Sequence, residues 1–357
     1  MKINFTENTN LQDRIAEMSG GLTFGRHYTD YMFTADFTPE NGWHNNEIKP
    51  YAPFNMDPAS SCLHYGQLFF EGMKCYKQQN GSLALFRPME NFKRMNESAW
   101  RMCMPEMDPE DAMKALVELI KVEREWVPDI PESSLYIRPF MMATDPYIGL
   151  RPSVNYMFAI ILSPVGPFYG ADGLTLVKIF VENKFVRAVK GGTGYAKCAG
   201  NYGASMRSQT EALKKGYNQV LWLDGIERKY IEEVGAMNVF FVIDGEVVTP
   251  ELGGTILPGI TRMSVIELLQ EMNIKVTEKR ISIDELWEAY QDGKLEEAFG
   301  TGTASVIAPI GELMWGDKPM ILSDNSVGKI TRKIYDELTG IYYGTVKDKF
   351  GWTQIIN

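Results

Sequence analysis

The sequence predicts an α+β protein with two domains, and three observations indicate this class. The chain has 357 residues, which at about 150 residues per domain suggests two domains with sizeable cores. Strand signals, mostly of the antiparallel kind, occur together with helical periodicity in each half. A segment rich in glycine and proline, residues 163–173, separates the halves and has no periodicity. We therefore expect domains at residues 1–163 and 174–357, joined by a loop at 164–173.

In the first half, residues 28–38 are aromatic and β-branched, which favours a strand. Residues 58–73 predict the start of a helix, because a serine pair precedes an apolar face. Two apolar runs within residues 73–86 flank Asn80-Gly81, a pair that tolerates positive φ, and so predict a hairpin. The remaining patterns of this half predict helices at 88–104 and 108–127 and strands at 134–144 and 155–163.

The second half shows a similar mixture of patterns. A strand at 174–182 precedes the glycine-rich residues 191–194, and a helix follows at 204–215. Residues 218–248 predict a meander of strands. Further helices are predicted at 259–272, 282–290 and 327–342.

Composition excludes several classes of function. The formal net charge is -10, with 46 acidic and 36 basic residues, whereas a nucleic-acid binder usually presents a basic face. Apolar runs such as residues 156–162 are too short to span a bilayer, and the N-terminal MKINFTENTN lacks the apolar core of a secretory signal. The four cysteines have no CxxC spacing, so free thiols in a cytoplasmic protein are expected.

Common catalytic motifs are also missing from the sequence. The three histidines and the cysteines have no metal-ligand spacing, so no metal site is predicted. The chain has no G-x-S-x-G motif, and GGTGYAK lacks the spacing of a phosphate-binding loop. Catalytic residues must therefore belong to a different type of site.

The most unusual stretch is residues 187–202, RAVKGGTGYAKCAGNY, in which Lys197 lies between glycine-rich turns and beside Ala196 and Cys198. Burial in such a setting lowers the pKa of a lysine, as a Schiff-base lysine requires. Composition alone would instead favour a surface lysine in a flexible loop. The sequence around Lys197 instead favours the buried Schiff-base lysine.

The block KGGTGYAKCAGNYGASM resembles the cofactor-lysine motif of branched-chain amino acid aminotransferases, which belong to the fold type IV class of pyridoxal 5′-phosphate (PLP) enzymes. The resemblance continues in order along the chain. It implies a fold type IV architecture, with a small N-terminal α/β domain and a larger C-terminal α/β domain that binds PLP. The other blocks that carry it are FGRHYTDYMF (24–33), LHYGQLFFEGMKCY (63–76), LFRPMENFKRM (85–95), LYIRPF (135–140), VLWLDG (220–225), EVGAMNVF (233–240), ILPGITR (256–262) and FGTGTAS (299–305).

The resemblance assigns three residues to the reacting part of the cofactor. Lys197 matches the lysine that holds PLP as a Schiff base and then moves a proton between the substrate Cα and the cofactor. Glu233 matches the carboxylate that keeps the pyridine nitrogen protonated, which makes the ring an electron sink. Tyr202 matches the tyrosine that hydrogen-bonds the phenolic oxygen. Without the resemblance, Glu233 and its neighbour Glu232 would each be interpreted as part of a solvated strand end.

Other residues match positions around the phosphate. Arg94 matches the phosphate-binding arginine, whose planar fork suits a dianion, and Thr303 matches another phosphate contact. Ile260 and Thr261 follow Pro258-Gly259 at a predicted helix start, where free N–H groups and the helix dipole attract phosphate even without the resemblance. Arg187 matches a further position near the cofactor.

The resemblance also implies a substrate pocket. Thr303 and Ala304 would bind the substrate carboxylate, and Arg138, on the same strand face as Tyr136, would receive the second carboxylate of glutamate. A homodimer is implied, with Tyr65, Ile148 and Leu150 completing the partner's site. The aromatic wall around a branched side chain would be formed by Phe24, Phe70, Tyr136 and Phe168.

The implied reaction is reversible transfer of the amino group of leucine, isoleucine or valine to 2-oxoglutarate, which gives glutamate. The alternatives within the fold class are D-amino acid aminotransferases, an aromatic-preferring aminotransferase and aminodeoxychorismate lyases. An inactive PLP-binding regulatory protein is an alternative from another class. Many animal relatives carry a redox CxxC after the carboxylate-binding turn, but Ser305 and Ala308 occupy those positions here.

Overall fold

The computed structural model describes residues 1–13, 17–18, 21–168, 174–322 and 326–357. The chain forms two compact units, and both contain helices and strands. Unit 1 comprises Met1–Pro167, Ala196–Ala199 and Gly340–Asn357, and unit 2 comprises Phe168–Tyr195 and Gly200–Thr339. Among the described residues, no helix is both long and apolar enough to cross a lipid bilayer.

The secondary structure consists of short strands and medium-length helices. The strands are β1 (Asn4–Phe5), β2 (Tyr31–Thr38), β3 (Gly42–Pro50), β4 (Leu68–Phe70), β5 (Met73–Lys77), β6 (Leu83–Phe86), β7 (Ser134–Ala143), β8 (Tyr156–Val165), β9 (Val177–Glu182), β10 (Gln219–Leu223), β11 (Ile231–Val234), β12 (Met237–Ile243), β13 (Glu246–Thr249), β14 (Val276–Glu278), β15 (Leu295–Gly302), β16 (Val306–Trp315), β17 (Lys318–Ile321) and β18 (Thr353–Ile356). The helices are α1 (Ser61–Tyr65), α2 (Pro88–Arg101), α3 (Pro109–Val122), α4 (Ala199–Lys214), α5 (Ile260–Glu271), α6 (Ile283–Gln291) and α7 (Lys329–Tyr343), with a 3-10 turn at Arg124–Trp126.

Unit 1 contains a sheet with strand order β1-β3-β2-β8-β7-β5-β6-β18, and β4 pairs with β7. The pairs are antiparallel except for β1 with β3. The predicted hairpin is confirmed between β5 and β6, where Gly81 takes a φ of +82° and Ser82 N–H donates to the Asn80 side chain. Only a residue without a Cβ adopts that φ without strain.

Helices α2 and α3 supply one side of the unit 1 core. Helix α2 buries Phe92, Met95 and Ala99, which are spaced so that they share one face of the helix. Asp108 caps helix α3 from the position before it: its carboxylate accepts from the Glu110 N–H at 2.8 Å, and Pro109 occupies the first turn. Local capping and apolar spacing therefore explain why both predicted helices form.

In unit 2 the strand order is β11-β10-β9-β16-β15-β12-β13-β14, and β11 also pairs with β12. That extra pairing closes six strands, from β11 round to β12, into a barrel that leaves no open edge between them. The sheet mixes both directions, because β9 is parallel to β10 and to β16. Antiparallel pairs predominate in both units, as the sequence predicted.

The structure differs from the sequence-based predictions in several places, which include the following helix and strand. The helix predicted within residues 58–73 is only the five residues of α1, because Gly66 ends it in the left-handed conformation and β4 follows. The strand β3 was not predicted, since most of it is half-buried and polar. Of the predicted interdomain loop, residues 169–173 lie outside the described residues.

The unit boundaries also differ from the predicted division at residues 163 and 174. Residues Gly340–Asn357 belong to unit 1, because β18 pairs with β6. The short segment Ala196–Ala199 belongs to unit 1 as well. The sequence does not indicate that these two segments belong to unit 1, because the residues they contact are far away along the chain.

Candidate active site

Lys197 directly precedes helix α4 and is held by its backbone. Its N–H donates to the Ser98 hydroxyl at 3.0 Å, and its carbonyl accepts from the Phe70 N–H at 3.2 Å. The Ser98 hydroxyl in turn donates to the carbonyl of Arg94. The Lys197 ammonium lies 4.7 Å from the centroid of the Phe70 ring, and the residue is half-buried. The lysine is therefore fixed on unit 1 rather than carried on a solvated loop.

Arg94 is buried against Glu71, a residue that the sequence analysis did not single out. The guanidinium Nε donates to Glu71 Oε1 at 2.8 Å and Nη2 donates to Oε2 at 2.9 Å, while the side chains are 7% and 0% exposed. Asn91 and the N–H of Gly72 also donate to Glu71 Oε2, at 2.9 and 3.1 Å. This bidentate pair fixes the plane of the arginine fork.

Burial by itself would raise the pKa of the Glu71 carboxyl. The charge of Arg94 and the hydrogen bonds from Arg94 and Asn91 outweigh burial, and the charge of Lys197 acts in the same direction, so the pKa is lowered. Glu71 is therefore an ionised carboxylate at neutral pH, and it is electrostatically coupled to both basic residues.

Arg138 and Tyr136, predicted to share one face of a strand, are in contact in unit 1. Arg138 Nη2 donates to the Tyr136 hydroxyl at 3.1 Å, and the guanidinium carbon lies 4.5 Å from the centroid of the Phe70 ring. Phe24 packs edge-on against Tyr136, with 4.8 Å between ring centroids. Gly72 is needed here, because a Cβ at that position would lie 2.2 Å from the Tyr136 hydroxyl. Phe24, Phe70, Tyr136 and Arg138 therefore form one cluster.

Within this cluster the Arg138 Nε atom is buried and has no hydrogen-bond partner among the described residues. A buried unsatisfied donor is costly and calls for an explanation. Phe168, the fourth predicted aromatic residue, belongs to unit 2 and is 40% exposed.

The residues predicted to complete a partner's site lie on the surface of unit 1. The Tyr65 hydroxyl donates to the Ile148 carbonyl, so the two segments are in contact. Tyr65, Ile148 and Leu150 are 42%, 65% and 85% exposed. Large apolar side chains therefore project into solvent together.

In unit 2, Glu233 and Arg187 form a buried ion pair. Arg187 Nη2 lies 3.2 Å from Glu233 Oε1, which also accepts from the Leu257 N–H at 2.7 Å. Arg187 further donates to the carbonyls of Thr255 and Gly194. The side chains are 8% and 4% exposed. The structure therefore holds this carboxylate in one position, against a buried guanidinium.

The interpretation of Glu232 and Glu233 as a solvated strand end is wrong for both residues, because they are 5% and 3% exposed. All four residues of β11 are buried, so both faces of this strand, which pairs with β10 and β12 in the barrel, are covered. No local pattern in the sequence indicates that the barrel closes between β11 and β12.

The helix start predicted after Pro258-Gly259 is confirmed, and its binding of an anion stays a prediction. Helix α5 begins at Ile260 after Gly259, and among the described residues no side chain caps it. Ile260 and Thr261 are 7% and 6% exposed. A Cβ at Gly259 would lie 2.0 Å from the Asn238 side-chain oxygen, so only glycine fits before the helix.

The remaining predicted site residues of unit 2 lie at element ends. Thr303 and Ala304 form the half-buried turn between β15 and β16. Tyr202 lies in the first turn of α4 and is half-buried. Ser305, next to the turn, donates from its hydroxyl to the sulfur of Met237 at 3.0 Å.

Comparison with known proteins agrees with this arrangement. A family model described as amino-transferase class IV matches residues 68–313. A probable branched-chain-amino-acid aminotransferase of Staphylococcus epidermidis is 52% identical over 98% of this chain and 97% of its own length. Branched-chain-amino-acid aminotransferase 2 of Bacillus subtilis is 52% identical over 93% of this chain and 91% of its own.

Among solved structures, the branched-chain amino acid aminotransferase of Escherichia coli superposes with a TM-score of 0.77 at 28% identity. The superposition covers 92% of this chain and 99% of that one. The fold type IV architecture and the resemblance that the sequence blocks indicated are thus confirmed, and the chain belongs to the class IV aminotransferases.

Proposed function

We propose that the chain transfers the amino group of leucine, isoleucine or valine to 2-oxoglutarate, with PLP as the cofactor held on Lys197. The observation that carries this proposal is the cluster of Phe24, Phe70, Tyr136 and Arg138. Three aromatic rings offer an apolar wall for a branched side chain. The unsatisfied Nε of Arg138 offers one donor in the same place for the second carboxylate of glutamate or 2-oxoglutarate. A pocket that accepts both substrates needs both features.

The donor set of unit 2 fits the cofactor. The open N-terminus of α5 provides N–H groups and a dipole for a phosphate dianion. The buried Glu233 carboxylate, held by Arg187 and the Leu257 N–H, suits a protonated pyridine nitrogen. We assign Thr303 to the phosphate and, with Ala304, to the substrate carboxylate, and Tyr202 to the phenolic oxygen, on the strength of the family motif.

The basic residues of unit 1 supply the other contacts. Arg94, with its fork fixed by Glu71, is assigned to the phosphate. Lys197, next to the aromatic face of Phe70, is assigned as the group that binds the cofactor and removes the proton from the substrate Cα. The charge of Lys197 in turn helps to lower the pKa of the Glu71 carboxyl, so the two groups are electrostatically coupled.

When bound, PLP supplies the electron sink that makes the substrate Cα–H acidic. The protein has to orient the Cα–H bond toward Lys197, keep Glu233 charged and exclude water. The ion pair between Arg187 and Glu233 serves the second requirement, since it places a cation against the buried carboxylate.

The amino-donor panel tests the proposed substrate class. With 2-oxoglutarate as acceptor, leucine, isoleucine and valine are expected to exceed aspartate, alanine and D-alanine by at least about tenfold, or about 1.4 kcal/mol. A panel led by D-alanine or by aromatic amino acids would favour the other members of the fold class. Lack of any visible absorbance change when leucine is added would indicate an inactive PLP-binding protein.

We also propose that the active unit is a cytoplasmic homodimer. The exposed apolar side chains of Ile148 and Leu150, beside Tyr65, are the support for the dimer, because contiguous exposed apolar groups mark interfaces. All four cysteines lie in the described part of the chain and are free, which suits a reducing compartment.

Mixing two inactive variants tests the shared site. A Lys197→Ala chain mixed with a Tyr65→Ala chain should recover partial activity, because one site of the mixed dimer has both an intact lysine and an intact donated tyrosine. No recovery, while both variants still dimerise and exchange subunits, would contradict the shared-site proposal.

A further inference from the structure

Unit 2 contains a cavity of about 330 Å³ whose walls are not the residues assigned above to the cofactor. The cavity lies among the turn at 224–230, the segment at 250–256, Lys190 and Arg280. Its volume is at the lower end of the range for small-molecule sites. A ligand of the size of an amino acid is therefore the kind that it can enclose.

Glu232 lines this cavity and is 5% exposed. Its Oε2 atom is buried and has no hydrogen-bond partner among the described residues. Burial raises the pKa of the carboxyl, and the hydrogen bond with Thr255 and the charge of Arg187 only partly oppose this. Leaving a buried polar atom unsatisfied costs about 1–3 kcal/mol. An ammonium group in the cavity would satisfy Oε2 and stabilise the charge.

Two cations line the same cavity. The Arg280 guanidinium packs over the Tyr230 ring at 3.5 Å, and within the described part of the chain its one hydrogen bond is a long contact of 3.4 Å to Glu227. Lys190 is exposed and forms no ion pair with any described residue. Both side chains therefore have donors available for a carboxylate.

The rest of the lining decides between ligand classes. A simple anion would face four carboxylates, those of Asp224, Glu227, Glu232 and Glu251. A simple amine would leave Lys190 without an ion-pair partner among the described residues and Arg280 with only its long contact to Glu227. The lining also includes isoleucines 226, 231 and 256, which suit an aliphatic group. A molecule that carries an ammonium, a carboxylate and an apolar side chain matches all of these features.

We propose that this cavity is a second amino-acid site, distinct from the active site, which binds a zwitterionic α-amino acid with an apolar side chain. The ammonium pairs with Glu232, and the carboxylate pairs with Arg280 and Lys190. The inference goes beyond the proposed function, because it concerns binding without reaction.

The probe for the test is α-methyl-L-leucine, which has no proton on Cα and so cannot undergo the proposed transfer. Equilibrium dialysis of the cofactor-loaded enzyme should show two equivalents bound per chain, one at the active site and one in the cavity. Glu232→Gln should weaken one of the two at least tenfold. Arg280→Met should do the same, and this half-exposed position can be changed without disturbing the core. The control is Glu246→Gln, in an exposed ion pair with Lys275 outside the cavity, which should keep both equivalents.

Each other outcome has a separate meaning. One equivalent that persists in both cavity variants would overturn the second site while leaving the proposed function intact. One equivalent that is lost in Glu232→Gln would support the cavity and contradict the proposed active site. If 3-methylbutylamine or 4-methylpentanoate competes for the Glu232-dependent equivalent as well as the amino acid does, the site is not one for a zwitterion.

Discussion

Replacing Glu71 with alanine is expected to destabilise the protein by about 3–5 kcal/mol, because it leaves the Arg94 charge buried without its partner. Arg94 is 7% exposed and donates twice to Glu71, which is fully buried. Asn91 and the Gly72 N–H would lose their acceptor as well. The measurement is urea denaturation of the cofactor-free protein, followed by circular dichroism.

A matched control separates the effect of burial on stability from the effect of the distance between the two charges. Arg207 and Glu211 form an ion pair at 2.7 Å, as short as the 2.8 Å contact between Arg94 and Glu71, but their side chains are 71% and 33% exposed. Glu211→Ala should therefore cost only about 0.3–0.5 kcal/mol. The double variant Glu71→Leu with Arg94→Met should cost much less than the sum of the single changes, since both charges are then removed together.

The pH dependence gives an independent check. The pKa of Glu71 is lower in the folded than in the unfolded state, so its stabilisation is present above the ordinary carboxyl pKa of 4.5 and is lost as the pH falls through the folded value. The stability difference between the wild type and Glu71→Gln should therefore be constant near neutral pH and close only in acid. A cost of Glu71→Ala below about 1 kcal/mol, or additive effects in the double variant, would refute the buried-pair reasoning.

Four further predictions concern single residues. Lys197→Ala should abolish turnover, and borohydride trapping with peptide mapping should label Lys197 and no other lysine in the wild type. Glu233→Gln should lower kcat far more than Glu232→Gln, because Glu233 is the carboxylate that Arg187 holds; equal losses would mean that the motif has been misaligned. Burial lowers the pKa of Lys74 to about 8, so the unfolded chain binds more protons above that pH, and stability should rise between about pH 8 and pH 10. Lys74→Met should flatten that rise in urea titrations, and an unchanged slope would contradict it. A disulfide reagent should react rapidly with one thiol per chain of the native enzyme, because only Cys103 is exposed and the other three cysteines are buried. This fast reaction should be absent in Cys103→Ser. Mild peroxide should leave the activity largely intact.

The cysteine next to the cofactor lysine is the critical case for that last prediction. Burial raises the pKa of Cys198 to about 11, so little thiolate is present at neutral pH. If Cys198→Ser rescued a peroxide-sensitive enzyme, the prediction of redox insensitivity would be wrong.

Several features of this protein were determined by short stretches of sequence. Asn80-Gly81 specified the hairpin, because its φ preference is a property of the residues themselves. Helix α6 begins with a capping box formed by Ser282 and Glu285, three residues apart. The helix start at Ile260 was predicted from Pro258-Gly259, because that signal also lies in adjacent residues. Family motifs then indicated which of these local features carry the chemistry.

Tertiary structure decided which charges are buried and with what partners. Glu71 and Arg94 lie 23 residues apart, and Arg187 and Glu233 come from different segments of unit 2, so no local pattern pairs them. Glu232 and Glu233 point to opposite faces of β11 and are both buried, and this burial, like the pairing of β11 with β12 that closes the barrel, was decided by the fold. The last strand joins unit 1 because β18 pairs with β6, hundreds of residues away. A sequence records what each residue prefers locally, whereas the electrostatics of a buried group depend on whatever the fold packs against it.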